Sequence, residues 1–199
     1  MNYPCYNRTM LVYLCRHGQT TGDIEDRYGG KYDDHLTELG KQQAQKLAES
    51  LSDKNIQIIY TSPRIRARET TEIVNKAVQA NVEIIDNFCE RNHYGVLTGM
   101  IKAEAKEKYP EQVALLQDTH NTVEGGETYE HFKTRILHAL DQVLHSGYNS
   151  VAIITHGGPI RLIFREILNK GKIKIDDCAV ALLESKDKVL ELKKVSGIA

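Results

Sequence analysis

Short apolar runs of strand length alternate along this chain with segments of helical period, and three of the runs end directly in residues suited to holding phosphate. Met10 to Cys15 leads into Arg16-His17-Gly18-Gln19-Thr20, Ile56 to Thr61 into Ser62-Pro63-Arg64-Ile65-Arg66, and Val151 to Ile154 into Thr155-His156-Gly157-Gly158. Alternating strands and helices predict an α/β fold whose mostly parallel sheet is covered on both faces. In such sheets ligands bind beyond the carboxyl ends of the strands, so three junctions far apart in sequence are expected to share one pocket.

The segments between the runs carry their own signals. Thr37 is placed to cap a helix with Leu39, Ala44, Leu47, Ala48 and Leu51 on its apolar stripe. Ser62-Pro63 reads as a capping hydroxyl with proline at the first helical position, followed by a buried face of Ile65, Ile73, Val74 and Ala77. Val82 to Ile85 reads as a third strand. Phe132, Ile136, Ala139, Leu140 and Val143 set a helix over Tyr129–Leu144, and Pro159 opens another with Leu162, Ile163, Ile167 and Leu168 inward. Ala179 to Leu183 and Val189 to Val195 suggest a closing hairpin. The charge-rich helical stretch from Met100 to Gln117 and the loop Thr119–Gly126 look peripheral, which predicts a cap-like insertion at about 95–125 within a single domain spanning 1–199.

With 199 residues, 41% of them hydrophobic, the chain can bury one sizeable core, and no linker composition divides it. A net charge of −1 argues against a nucleic-acid or anionic-membrane surface, so anion binding has to be local. Cys5, Cys15, Cys89 and Cys178 form no C-x-x-C pair, which suits reduced thiols. The stretch Met1–Arg8 lacks the apolar core of a signal peptide and no run approaches a membrane span, so a soluble cytoplasmic protein is expected. His131, His138 and His145 recur every seven residues, but on a helix they fall opposite the apolar stripe. No metal and no cofactor are expected.

A phosphate monoester carries about two negative charges, and one cation about 4 Å away supplies on the order of 4 kcal/mol at a surface-like dielectric. Arginine's planar fork suits it, and Arg66 falls in a first helical turn, whose amides favour anions. The helix opened by Gly157-Gly158 offers further backbone donors at the same edge. A neutral imidazole can take a phosphoryl group, dividing the reaction into two in-line steps. A departing alkoxide then needs a proton, and Glu90, which follows a strand, is the candidate donor.

The ordered set Arg16-His17-Gly18-x-Thr20, Ser62-Pro63-x-x-Arg66-Ala67-x-x-Thr70, Glu90, Gly126-Glu127-Thr128 and His156-Gly157-Gly158 resembles the histidine phosphatase superfamily, which includes the cofactor-dependent phosphoglycerate mutases. The resemblance covers roughly Leu11 to Leu168. It implies a three-layer α/β/α sandwich, a metal-independent mechanism, His17 as the phosphorylated nucleophile, Arg16, Arg66 and His156 around the phosphate, and Glu90 as proton donor. Gly157, Gln19, Asp23 and Gly29 are placed beside them as further phosphate or substrate contacts. The sequence departs from the pattern at Asp23, where Asn is frequent, at Gly29-Gly30 in place of Gln-Gly, and at His35 in place of Pro. Around Glu90, Glu-Arg-Asn-His-Tyr-Gly is one residue longer than its mutase counterpart.

Arg27-x-Gly29-Gly30 and Tyr109-Pro110-Glu111 look most similar to the fructose-2,6-bisphosphatase-like branch, whereas His93-Tyr94-Gly95 pulls toward the mutases. The expectation is hydrolysis of a small phosphorylated metabolite: a sugar phosphate, a bisphosphate or a phosphoglycerate-like acid. A cofactor-dependent phosphoglycerate mutase and a catalytically idle phospho-ligand-binding protein are the alternatives, and a homodimer is left open.

Overall fold

The computed structural model describes residues 9–199; Met1–Arg8, with Cys5 and the stretch read as lacking a signal peptide, lie outside the described residues. In chain order the elements are β1 (Thr9–Arg16), α1 (Thr21–Ile24), α2 (Glu38–Leu51), β2 (Ile58–Thr61), α3 (Ile65–Val78), β3 (Asn81–Ile84), α4 (Lys102–Lys108), α5 (Pro110–Leu115), α6 (Tyr129–Leu144), β4 (Ser150–Thr155), α7 (Gly157–Glu166), β5 (Ile175–Lys186) and β6 (Val189–Ile198). One six-stranded sheet runs β3-β2-β4-β1-β5-β6. The first four strands in that order are parallel, and the β5–β6 hairpin adds antiparallel to β1.

Strand side chains alternate between two helical layers, as the period of two requires. Val12, Leu14, Ile58, Tyr60, Val151 and Ile153 pack with residues of α6 and α7. Tyr13, Cys15, Ile59, Ala152 and Ile154 pack with residues of α2 and α3. All six residues of β4 are buried, which is why it reads as a continuous apolar run rather than an alternation. Each large apolar side chain so buried contributes about 1.5–3 kcal/mol. A smaller cluster of Tyr28, Leu97, Ala105 and Val123 holds the 95–125 segment together beside the site end of the sheet.

Several local expectations need correction. Helix α3 begins at Ile65, and its first amide is capped by Asp33 Oδ1 at 2.8 Å rather than by Ser62, whose hydroxyl is taken by a histidine described below. Leu39 is exposed in the first turn of α2, and Gly40 takes the inward position instead. Strand β3 is an exposed edge one residue earlier than expected, Ile167 is exposed at the end of α7, and Pro159 is third rather than first in that helix. Thr37 does cap α2, accepting from Gly40 N, and α6 has the expected bounds. His131, His138 and His145 all face solvent. Among the described residues no helix is long and apolar enough to cross a membrane.

Candidate active site

Register brings the three junctions together. Arg16 pairs with Thr155 across β1 and β4, and Thr61 with Ile154 across β2 and β4. The chains then leave the sheet side by side: His17 N donates to Thr155 O at 3.0 Å and Ser62 N to Ile154 O at 3.1 Å. Gly18 permits the turn after β1, since a Cβ there would lie 2.5 Å from Gly40 O at the start of α2.

His17 is 5% exposed. Its Nδ1 lies 2.8 Å from Gly18 O, and because a carbonyl only accepts, the ring proton sits on Nδ1. Nε2 therefore presents its lone pair, which accepts from Arg66 Nε at 3.2 Å. Burial, then the positive charges of Arg66 and Arg16, hold the His17 pKa well below the usual imidazole value. The ring is thus held neutral with a fixed tautomer.

His156 stands behind it, fully buried, with the two ring centres 5.0 Å apart in an edge arrangement. Its Nε2 is 2.8 Å from Ser62 Oγ. Burial, then Arg66 and His17, depress its pKa as well. The buried Nδ1 of His156 and Nε of Arg16 have no hydrogen-bond partner among the described residues. Buried polar atoms without partners are uncommon, and for Arg16, which borders the cavity, the oxygens of a phosphate are suited to supply one.

The arginines are held by different means. Arg16 Nη1 donates to Ile175 O at 2.8 Å and lies 3.1 Å from Asp177 Oδ1, both reached through an irregularity in β5 between Ile175 and Val180. Arg66 Nη1 donates to Tyr32 O at 2.7 Å and pairs with Asp34 Oδ1 at 2.8 Å, while Nη2 donates to Gly30 O at 3.1 Å. Arg66 and Asp34 are 4% and 5% exposed, so this is a buried ion pair.

Glu90 arrives on the loop after β3. Its Oε1 accepts from Arg91 N at 2.8 Å and its Oε2 from Gly158 N at 2.9 Å, at the start of α7. A Cβ at Gly158 would lie 1.9 Å from Glu90 Oε1, so only glycine allows the carboxylate this close to the helix.

These groups border a cavity of about 380 Å³ whose lining includes Arg16, His17, Arg66, Glu90, Gly157 and Gly158. Gly29 also borders it, whereas the fully buried His156 lies beneath His17 rather than on its wall. Asp23 reaches the cavity, but its Oδ2 accepts from Thr20 N and Thr20 Oγ1 at 2.9 and 2.8 Å, closing a capping box on α1. Gln19 lies off the wall: its Oε1 accepts from Thr37 Oγ1 at 2.9 Å, so its expected contact role is replaced by a structural one.

Sequence reasoning missed several wall residues. Arg161, Arg165, Arg27 and Lys102 add cations to the lining, the last three paired with Glu166, Glu25 and Asp26, and Asp34 adds the carboxylate on Arg66. Arg161 was legible in principle, one helical turn after Gly157. Arg91 also borders the cavity, but its guanidinium donates to Glu127 O and Asn121 O, which makes it a brace for the loop. His93, against Arg91, has its pKa lowered to about 4, chiefly by burial.

The model of the histidine phosphatase superfamily, branch 1, matches residues 12–196. The chain belongs to the histidine phosphatase superfamily. It is 32% identical over 162 residues to the metal-independent phosphoserine phosphatase of Arabidopsis thaliana, covering 78% of this chain and 68% of that one. Phosphoserine phosphatase 1 of Hydrogenobacter thermophilus is 33% identical over 162 residues, with 79% and 75% covered. Among solved structures, Bacillus stearothermophilus YhfR superposes with a TM-score of 0.85 over 92% of this chain and 95% of that one at 24% identity, which establishes the shared fold. As a histidine phosphatase the chain is an enzyme that hydrolyses phosphomonoesters.

Proposed function

We propose that the protein hydrolyses a small phosphorylated metabolite bearing a second anionic group, through a phosphohistidine on His17. The observation that carries this reading is the lone pair of His17 Nε2, fixed by Gly18 O and set between two arginines at the wall of one cavity. A phosphate entering there takes over the Arg66 N–H as its own donor and frees the lone pair for attack. Nε2 then bonds to phosphorus as the P–O ester bond breaks, and the departing alkoxide takes a proton from Glu90, leaving a carboxylate. In the second step that carboxylate takes a proton from water, whose oxygen bonds to phosphorus while the N–P bond breaks. Inorganic phosphate leaves, and neutral His17 and protonated Glu90 are restored. Arg16 and Arg66 stabilise the charge spread over the equatorial oxygens, and His156 backs the reacting ring from beneath.

The second anionic group is inferred from the further cations in the lining. Arg161 makes no hydrogen bond or ion pair among the described residues and borders the cavity beside Gly157, with Arg165 and Lys102 on the same wall. We infer that the 95–125 segment, which supplies Lys102 and Thr119 to the wall, serves as the cap that selects the substrate.

A screen of phosphoserine-like acids, phosphoglycerates, sugar bisphosphates and neutral sugar phosphates tests this. The expected result is turnover unaffected by EDTA, an acid-labile phosphoenzyme absent in His17→Ala, and a preference for substrates with a second anion that Arg161→Ala lowers at least tenfold in kcat/KM. Undiminished phosphoenzyme in His17→Ala refutes the mechanism. Conversion of 3-phosphoglycerate to 2-phosphoglycerate faster than phosphate release would make the chain a mutase instead.

A further inference from the structure

The loop that carries Glu90 is not held by its own backbone pattern. Between the short 3-10 turn at Asp86–Phe88 and the second such turn at Gly95–Leu97, it has no regular structure. Arg135, on α6, grips it from behind. Its Nη1 donates to Asn87 O at 2.6 Å and Cys89 O at 2.9 Å, and its Nη2 to Glu90 O at 3.2 Å. The remaining donors form a two-point contact with Glu127, Nε to Oε1 at 2.7 Å and Nη2 to Oε2 at 2.8 Å. Glu127 in turn accepts from Asn92 N at 3.3 Å and donates its own N–H to Asn92 O at 2.8 Å. One mostly buried ion pair, 14% and 11% exposed, therefore fixes the loop at residues 87, 89, 90 and 92, on both sides of the Glu90 side chain.

Neither side chain borders the catalytic cavity; both line a groove of about 500 Å³ on the other side of the loop. A mostly buried arginine with three bonds to the carbonyls of one loop, and the rest to the carboxylate that also holds that loop, is more than the packing of α6 demands. Only a planar fork can bond three carbonyls and a carboxylate at once, and an ammonium cannot reproduce it.

We propose that Glu127 and Arg135 are positioning residues for proton transfer, holding the backbone of residues 87–92 so that the Glu90 carboxyl meets the leaving-group oxygen. The proposal rests on the reading of Glu90 as proton donor. Misplacement by a fraction of an ångström then slows proton transfer while leaving His17, Arg16 and Arg66 in place.

The test compares leaving groups. A simple alkyl phosphate needs a proton on the departing oxygen, whereas dinitrophenolate leaves without one. Arg135→Lys, Glu127→Gln and Glu90→Gln are assayed for alkyl phosphate turnover and for the first-turnover burst of dinitrophenolate from 2,4-dinitrophenyl phosphate, with circular dichroism as the folding control. General acid catalysis contributes about 10²–10⁴-fold, so Glu90→Gln is expected to lose at least about 100-fold on the alkyl ester and under about threefold in the burst. Arg135→Lys and Glu127→Gln are expected to show the same split, with about 10- to 100-fold losses on the alkyl ester and an altered basic limb in its pH profile. Equal losses on both substrates, or none on either, in a folded variant overturn the positioning role. If Arg135→Lys does not fold, Glu127→Gln decides alone; if both fail to fold, the pair is a stability element and the proposal is wrong. Absence of the split in Glu90→Gln itself would instead overturn the proton-donor reading.

Discussion

Two neutral imidazoles buried at the heart of the site make the fold sensitive to mild acid. His17 and His156 both have pKa values well below the ordinary 6.5, first because burial disfavours the imidazolium and then because Arg66 lies beside each. Below pH 6.5 the unfolded chain protonates these rings while the folded protein does not, so stability that is fully present above that pH is lost as the pH falls. From pH 6.5 to pH 5 the loss is 1.5 pH units at about 1.36 kcal/mol per unit, or about 2 kcal/mol for each ring and about 4 kcal/mol for the pair. A domain of this kind is stable by only about 5–15 kcal/mol, so the change is a large fraction of the whole. Urea unfolding followed by circular dichroism at pH 7 and pH 5 measures it directly. His17→Asn and His156→Asn should each flatten the pH dependence by about 2 kcal/mol, whatever they do to stability at pH 7. A wild-type difference below about 1 kcal/mol, or an unaltered slope in both site variants, would show that these rings are not held neutral and would remove the basis for treating His17 as a ready nucleophile.

The other expected outcomes are more local. Asp34→Ala leaves Arg66 charged and unpaired in the interior, so chemical denaturation should show a loss of about 3–5 kcal/mol, with a smaller loss for Asp34→Asn, which keeps an acceptor. Gly158→Ala drives a methyl group into Glu90 Oε1, and alkyl phosphate turnover should fall at least about 100-fold while the far-ultraviolet circular dichroism stays that of the wild type.

What could be read from the sequence was whatever depends on local pattern. The helix over Tyr129–Leu144 and the continuous apolar run of β4 carry strong periodic signals, and both have the expected identity. Arg16, His17, Arg66, Glu90 and Gly157 follow strands or open helices, so the rule that parallel strands deliver ligand groups at their carboxyl ends was enough to gather them at one wall. What escaped were contacts made across long sequence distances. The acceptors that hold Arg16, Ile175 O and Asp177, lie in an irregular start of β5 that has no alternation to reveal it. Ser62 looked like a cap because Ser-Pro so often is one, but Asp33 from a distant loop caps α3 and leaves the hydroxyl for His156. Gln19 was placed beside the phosphate by its neighbourhood in the chain, and tertiary geometry gives its side chain to Thr37 instead, whereas Asp23 borders the cavity while also closing the local capping box with Thr20.

Strand order has a consequence for how this enzyme comes into being. The middle of the sheet is filled by β4 (Ser150–Thr155), which must slide between β1 (Thr9–Arg16) and β2 (Ile58–Thr61), both synthesised well before it. Until it does, the two neighbours have no shared edge and His17 has no Thr155 to anchor it. Affinity for phosphate should therefore arise abruptly in the last stage of folding, and an interrupted nascent chain would hold no weak, promiscuous version of the activity.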